Sequence, residues 1–143
     1  MMFKRILYLV TLILFFVSCD KKSTINNSEE DIKRGQELAS KFYKELSEND
    51  TLKINNYLDK SISSADFGKL VKNNLKNYGV IQKVDIKKTE TSNITFNENI
   101  EINYILEIYV EYEKSKNIEK ISFVKKNDEP IKLDGYLTQE IIE

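Results

Sequence analysis

Eight tyrosines, 23 carboxylates and a single cysteine are the side chains of this 143-residue chain best suited to proton transfer or covalent chemistry. There is no histidine and no tryptophan. Without imidazole, Ser-His-Asp and Cys-His catalysis and His-ligated metal sites are excluded. One cysteine allows neither an internal disulfide nor a Cys-rich metal cluster. A net charge of −1 supplies no broad basic field, so no nucleic-acid partner is expected. A catalytic carboxylate remains open, but it must be buried beside a ligand to have a tuned pKa.

The cysteine has an informative neighbourhood. The chain opens MMFKRILYLVTLILFFVSC. Lys4 and Arg5 give a positive start, and Ile6 to Val17 is an uncharged apolar run of twelve residues. A spanning helix needs about 20 apolar residues, so the run fits a secretory signal segment instead. At its end, Phe16-Val17-Ser18-Cys19 resembles a bacterial lipobox, with Phe16 where that family usually has Leu. The resemblance implies diacylation of the Cys19 thiol and cleavage between Ser18 and Cys19. It also implies a bacterial cell-envelope address, lipid-anchored, in which the membrane is the first partner. The sole thiol then lies at the processing site, and none is left in the mature fold to oxidise.

The expected organisation is a signal peptide over 1–18, a tether over 19–27 and one domain over 28–143. Asp20 to Asn27, DKKSTINN, has one apolar residue, Ile25, too few to order itself. As a flexible coil it has a reach of about 15 Å.

The domain must position whatever chemistry it holds. Ser28 caps a first helix, followed by Glu29, Glu30 and Asp31 at the positive end of its dipole. Ile32, Gly35, Leu38, Ala39, Phe42 and Leu46 make its apolar face. Gly35 on that face points to close approach by another element. Asp50 caps a short second helix through about Asp59, with Leu52, Ile54, Tyr57 and Leu58 buried. Ser63 and Asp66 open a third at capping-box spacing, and Gly79 ends it. From Val80 the period changes to two. In Ile100–Glu113, Ile100, Ile102, Tyr104, Leu106, Ile108, Val110 and Tyr112 share one face. Lys114–Asn117 is predicted as the hairpin loop, which sets Ile121 opposite Val110, Phe123 opposite Ile108 and Lys120 opposite Glu111. A final strand carries Ile131, Leu133, Gly135 and Leu137, with a bulge or bend at Gly135.

Three helices followed by four antiparallel strands indicate an α+β fold. With the long first helix and the glycine in the last strand, this order resembles the nuclear-transport-factor-2-like branch of the cystatin-like superfamily. The resemblance implies a curved four-stranded sheet wrapped round the helices as a cone. It also implies that an enzyme of this type would set an acid and a tyrosine inside the cone, the tyrosines here being Tyr43, Tyr57, Tyr78, Tyr104, Tyr112 and Tyr136.

The apolar strand faces are expected to carry no interior carboxylate, since Asp85, Glu101, Glu107 and Glu111 fall outside. Asp134 would point inward only through a bulge at Gly135. Tyr104 and Tyr112 are the candidate pocket lining. Ile105 and Tyr109, four apart on the outer face, are the candidate contact for a protein partner or a second copy. The expectation is a non-catalytic, membrane-anchored module with no cofactor and no metal, binding a protein partner or a small apolar ligand. The alternative is a small isomerase or hydrolase using a buried carboxylate and a tyrosine.

Overall fold

A computed structural model describes residues 22–96 and 99–142. The expected signal peptide and Cys19 lie outside the described residues. The element order is β1 (Lys22–Ile25), α1 (Glu29–Ser47), α2 (Thr51–Asn55), α3 (Ser64–Tyr78), β2 (Ile81–Phe96), β3 (Asn99–Tyr112), β4 (Lys116–Lys126) and β5 (Lys132–Glu140). The strands form one antiparallel sheet in the order β1-β2-β3-β4-β5, so the fold is α+β.

Helix α1 starts where its cap dictates. Ser28 Oγ accepts from the Asp31 amide at 3.2 Å and donates to the Asp31 carboxylate at 2.7 Å. Its buried stripe, Gly35, Ala39, Phe42, Tyr43 and Leu46, lies on the sheet. A Cβ on Gly35 would stand 3.3 Å from Tyr104 Cδ1, which is the close approach the sequence implied. Helix α3 ends at Gly79, whose φ of +84° suits only glycine. A Cβ there would also meet Glu113 at 2.7 Å.

Helix α2 is shorter than expected. Asp50 caps it through the Lys53 amide, but it stops at Asn55 because the next residues pair with β5. The Leu133 amide donates to Tyr57 O at 2.6 Å, and the Asp59 amide donates to Leu133 O at 2.8 Å. Leu52, expected to be buried, is exposed.

The sheet has five strands rather than four. The additional one, β1, comes from the segment expected to be a flexible tether: Lys22–Ile25 pairs with Ser92–Thr95. A segment with one apolar residue is ordered here by a ready-made sheet edge, which satisfies its backbone groups without a hydrophobic face of its own.

The hairpin between β3 and β4 also closes differently. Ile121 pairs with Leu106, Phe123 with Tyr104 and Lys120 with Glu107, replacing the expected Val110, Ile108 and Glu111. The turn sits nearer the N-terminus, because the Tyr112 amide donates to Ser115 O at 2.8 Å. Glu113 and Lys114 are then fixed through their amides to Val80 O and Tyr78 O. The shift is even, so each residue keeps its face.

The core is aromatic at its centre. Phe42, fully buried, meets Tyr43, Tyr57 and Phe123 edge-on and Phe67 and Tyr136 at a tilt, with ring centroids 5.4–6.4 Å apart. These are the separations at which ring quadrupoles attract.

Candidate functional site

The strongest concentration of chemistry is a carboxylate inside the fold. Glu119 on β4 is fully buried. It shares the inward face of its strand with Asn117, Ile121 and Phe123, all buried. Four hydroxyls donate to it. Tyr112 of β3 reaches Oε1 at 2.6 Å, and Thr138 of β5 reaches the same oxygen at 3.2 Å. Tyr43 of α1 reaches Oε2 at 2.5 Å, and Tyr136 of β5 reaches it at 2.6 Å. Behind them the Asn117 amide donates to Thr138 Oγ1 at 3.0 Å, and Ser115 Oγ donates to Asn117 Oδ1 at 2.9 Å. One carboxylate therefore joins helix α1 to three strands.

A carboxylate has about four lone-pair sites, and here four donors fill them. Taking a charge out of water costs several kcal/mol unless hydrogen bonds replace the lost hydration. The cluster supplies that replacement. Burial, and then the Glu119 charge, raise the phenols of Tyr43, Tyr112 and Tyr136 above the ordinary tyrosine value. All three are held as neutral donors. Each carboxylate oxygen is engaged by two hydroxyls, and the raised pKa values make the phenols weaker acids than an ordinary tyrosine. In this geometry the cluster clasps helix α1 to β3, β4 and β5.

Two concavities flank it. A small pocket of ≈ 30 Å³ is lined by Tyr112 and Tyr136 together with Leu46, Val71, Asn74 and Leu75; that is room for about two waters. On the other side of Tyr43, an open groove of ≈ 590 Å³ runs between α1, at Gln36, Ser40 and Lys44, and β2, at Lys83 and Asp85. Strand β1 pairs only with Ser92–Thr95, so this stretch of β2 has no neighbouring strand on the groove side among the described residues. Two register shifts, at Ile81/Lys83 and Ile86/Lys88, break the regularity of that edge, as does the lysine content. Both discourage unintended pairing.

Ile105 and Tyr109 do share the outer sheet face, opposite α1. Ile105 is 46% exposed, and Tyr109 is half-buried, with Lys87 Nζ 5.6 Å from its ring centroid. The two candidate pocket residues separate. Tyr112 lines the small pocket, whereas Tyr104 is fully buried against Gly35 and lines neither the pocket nor the groove. Burial, then the Asp31 charge, raises the Tyr104 phenol. Asp134 is the extra residue in a bulge, since Leu133 pairs with Phe123 and Gly135 with Ser122. It is exposed rather than inward. Among the described residues no cluster of three or more His, Cys, Asp or Glu could hold a metal ion, and no helix is long and apolar enough to cross a membrane.

The expectation of a carboxylate-free interior is therefore corrected by Glu119. The signal was present in the alternation. If Ile121 and Phe123 face inward, Glu119 and Asn117 must as well. On β5 the bulge at Asp134 flips the parity after Leu133, so Tyr136 and Thr138 face inward and Leu137, expected in line with Leu133, is exposed; Tyr43 adjoins the buried Phe42 on α1.

No family model matches the chain, and no curated protein matches it. One solved structure is similar, that titled "Structure of Bdellovibrio bacteriovorus Bd1075", at 14% identity and a TM-score of 0.47. The match covers 81% of this chain and 44% of that one. Similarity at this level assigns neither family nor function.

Proposed function

We propose that this chain is a bacterial envelope lipoprotein, anchored through a lipidated Cys19, whose α+β domain is a non-catalytic binding module. The observation that carries the non-catalytic half is the saturation of Glu119. The one fully buried carboxylate among the described residues has all its acceptor positions taken by Tyr43, Tyr112, Tyr136 and Thr138. The anchor rests on the lipobox resemblance of Phe16 to Cys19. The finer fold reading, a cystatin-like cone of the nuclear-transport-factor-2-like branch, rests on the element order and on helix α1 lying against the sheet.

A protein partner suits the concavities better than a small apolar ligand does. The pocket beside Tyr112 holds about two waters, far short of the several hundred Å³ of ligand pockets, and the ≈ 590 Å³ groove is open and carries Gln36, Lys44, Lys83 and Asp85 along its walls. The outer face with Ile105, Tyr109 and Leu137 is where that partner, or a second copy, would sit. A second reading, a small enzyme using Glu119 and a tyrosine, draws on the two clasp tyrosines that line the small pocket. It would need one of them to release the carboxylate.

The test is recovery of the intact chain from membranes in mild detergent, compared with Ile105→Glu and Tyr109→Glu variants. A co-purifying protein lost from both variants supports the proposed face. Retention in both removes that face from the interface.

A further inference from the structure

We propose that the domain stands on the membrane through one end of its sheet, with Phe96 and Ile100 resting in the lipid headgroup layer. This rests on the reading of Cys19 as the lipidated residue, and it adds an orientation that the anchor alone does not supply.

The pairing of β1 carries the argument. Lys22 is in register with Thr95, and Ile25 with Ser92. The polypeptide therefore enters the sheet from the end at which β2 finishes and β3 begins. Two residues, Asp20 and Lys21, separate Cys19 from Lys22, and those three steps span at most about 10 Å. Neighbouring strands lie about 5 Å apart. Thr95 is thus held within roughly 15 Å of the Cys19 Cα. The headgroup layer on each side of the hydrocarbon core is itself about 5–8 Å deep. An eight-residue coil would have let the domain tumble above the bilayer. With Lys22–Ile25 fixed in the sheet, this end is held nearest the lipid.

That end exposes apolar side chains the core does not explain. Ile100 is 50% exposed and Phe96 39%, and the two lie one register step apart. Ile100 is held in place rather than loose. Its amide donates to Asn127 Oδ1 at 2.8 Å, and its carbonyl accepts from the Asn127 amide at 2.8 Å. Lys125 and Lys126 are paired with Ile102 and Glu101 at the same end, Lys126 also bridges Asp59 at 3.7 Å, and Asp128 and Glu129 follow in the next turn, so the contact there is apolar rather than cationic. Acyl chains supply the anchoring and such a patch supplies a second, weaker contact.

The chain has no tryptophan, so Phe96→Trp makes a sole fluorescent reporter. Val80→Trp, just before the opposite end of β2 and also exposed, is its counterpart. Each full-length protein, purified from a lipid-modifying bacterium, is placed in phosphatidylethanolamine–phosphatidylglycerol vesicles with and without brominated acyl chains. The expected result is loss of fluorescence to brominated lipid and a blue shift at position 96, with neither at position 80. Ile100→Trp repeats the measurement should Phe96→Trp not fold. Equal loss at positions 80 and 96, or no loss at positions 96 and 100 in protein whose mass includes the acyl groups, overturns the orientation and leaves the anchor standing. Protein whose mass shows a bare Cys19 overturns the anchor and the orientation together.

Discussion

Tyr43 and Glu119 stand 76 positions apart in the chain, and the phenol of the first donates to the carboxylate of the second at 2.5 Å. Their bond fixes helix α1 on the inward face of β4. Tyr112, Tyr136 and Thr138 complete the shell from the two adjacent strands. A buried ion of this kind is stable only as a complete set, which makes it sensitive to the loss of any one member.

Glu119→Gln places an amide donor among four hydroxyl donors. The variant should lose about 2–4 kcal/mol of stability, the range for disrupting a buried charged hydrogen-bond network. Urea unfolding of variant and parent checks this. A loss below about 0.5 kcal/mol, the ordinary surface value, would contradict the clasp.

Tyr43→Phe removes one donor and leaves the ring in the aromatic cluster around Phe42. A cost of about 1–3 kcal/mol is expected, as for a hydrogen bond to a charged group. Combined with Glu119→Gln, the two costs should fall short of their sum. A double-mutant cycle reads that coupling, and strict additivity would show that the two residues do not act as a unit.

Alkaline pH should unfold the domain through the same tyrosines. In the folded state burial and the Glu119 charge raise Tyr43, Tyr112 and Tyr136 above their unfolded value. The stability they contribute is complete below an unfolded value of about 10 and falls as pH rises beyond it. Tyr57, raised to about 12 by burial and then by Glu45, adds to the same loss. Tyrosinate absorbance followed alongside circular dichroism should show these residues ionising together with unfolding. Ionisation of all eight tyrosines before any loss of structure would contradict the assignment.

Gly79→Ala forces a side chain into φ +84° and against Glu113. The strained backbone alone costs about 1–3 kcal/mol. A thermal melt of the variant should shift downward by several degrees, and an unchanged midpoint would mean that the α3–β2 junction relaxes freely.

Much of this architecture was legible because local patterns and tertiary packing agree. The Ser28, Asp50 and Ser63 caps, the apolar stripe of α1 and the strict alternation of β3 each have one good solution. Two features were less legible for physical reasons. Strand β1 has no hydrophobic signal, since its order comes from backbone bonds to Ser92–Thr95. The β3–β4 turn can slide by an even number of residues without moving any side chain to the wrong face, so the alternation alone does not choose between Leu106 and Val110 as the partner of Ile121. Glu119 differs from both. Its inward direction followed from the parity of Ile121 and Phe123, but a charge on a core face runs against the expectation that carboxylates are solvated. Only its four donors, drawn from α1, β3 and β5, make that position tenable.

The most direct test of the account is the intact mass of the protein isolated from bacterial membranes, with its N-terminal peptide sequenced. The account predicts a chain that begins at Cys19 and is heavier by a diacylglyceryl group on the thiol. A chain that keeps residues 1–18, or begins at Cys19 with an unmodified thiol, would contradict it.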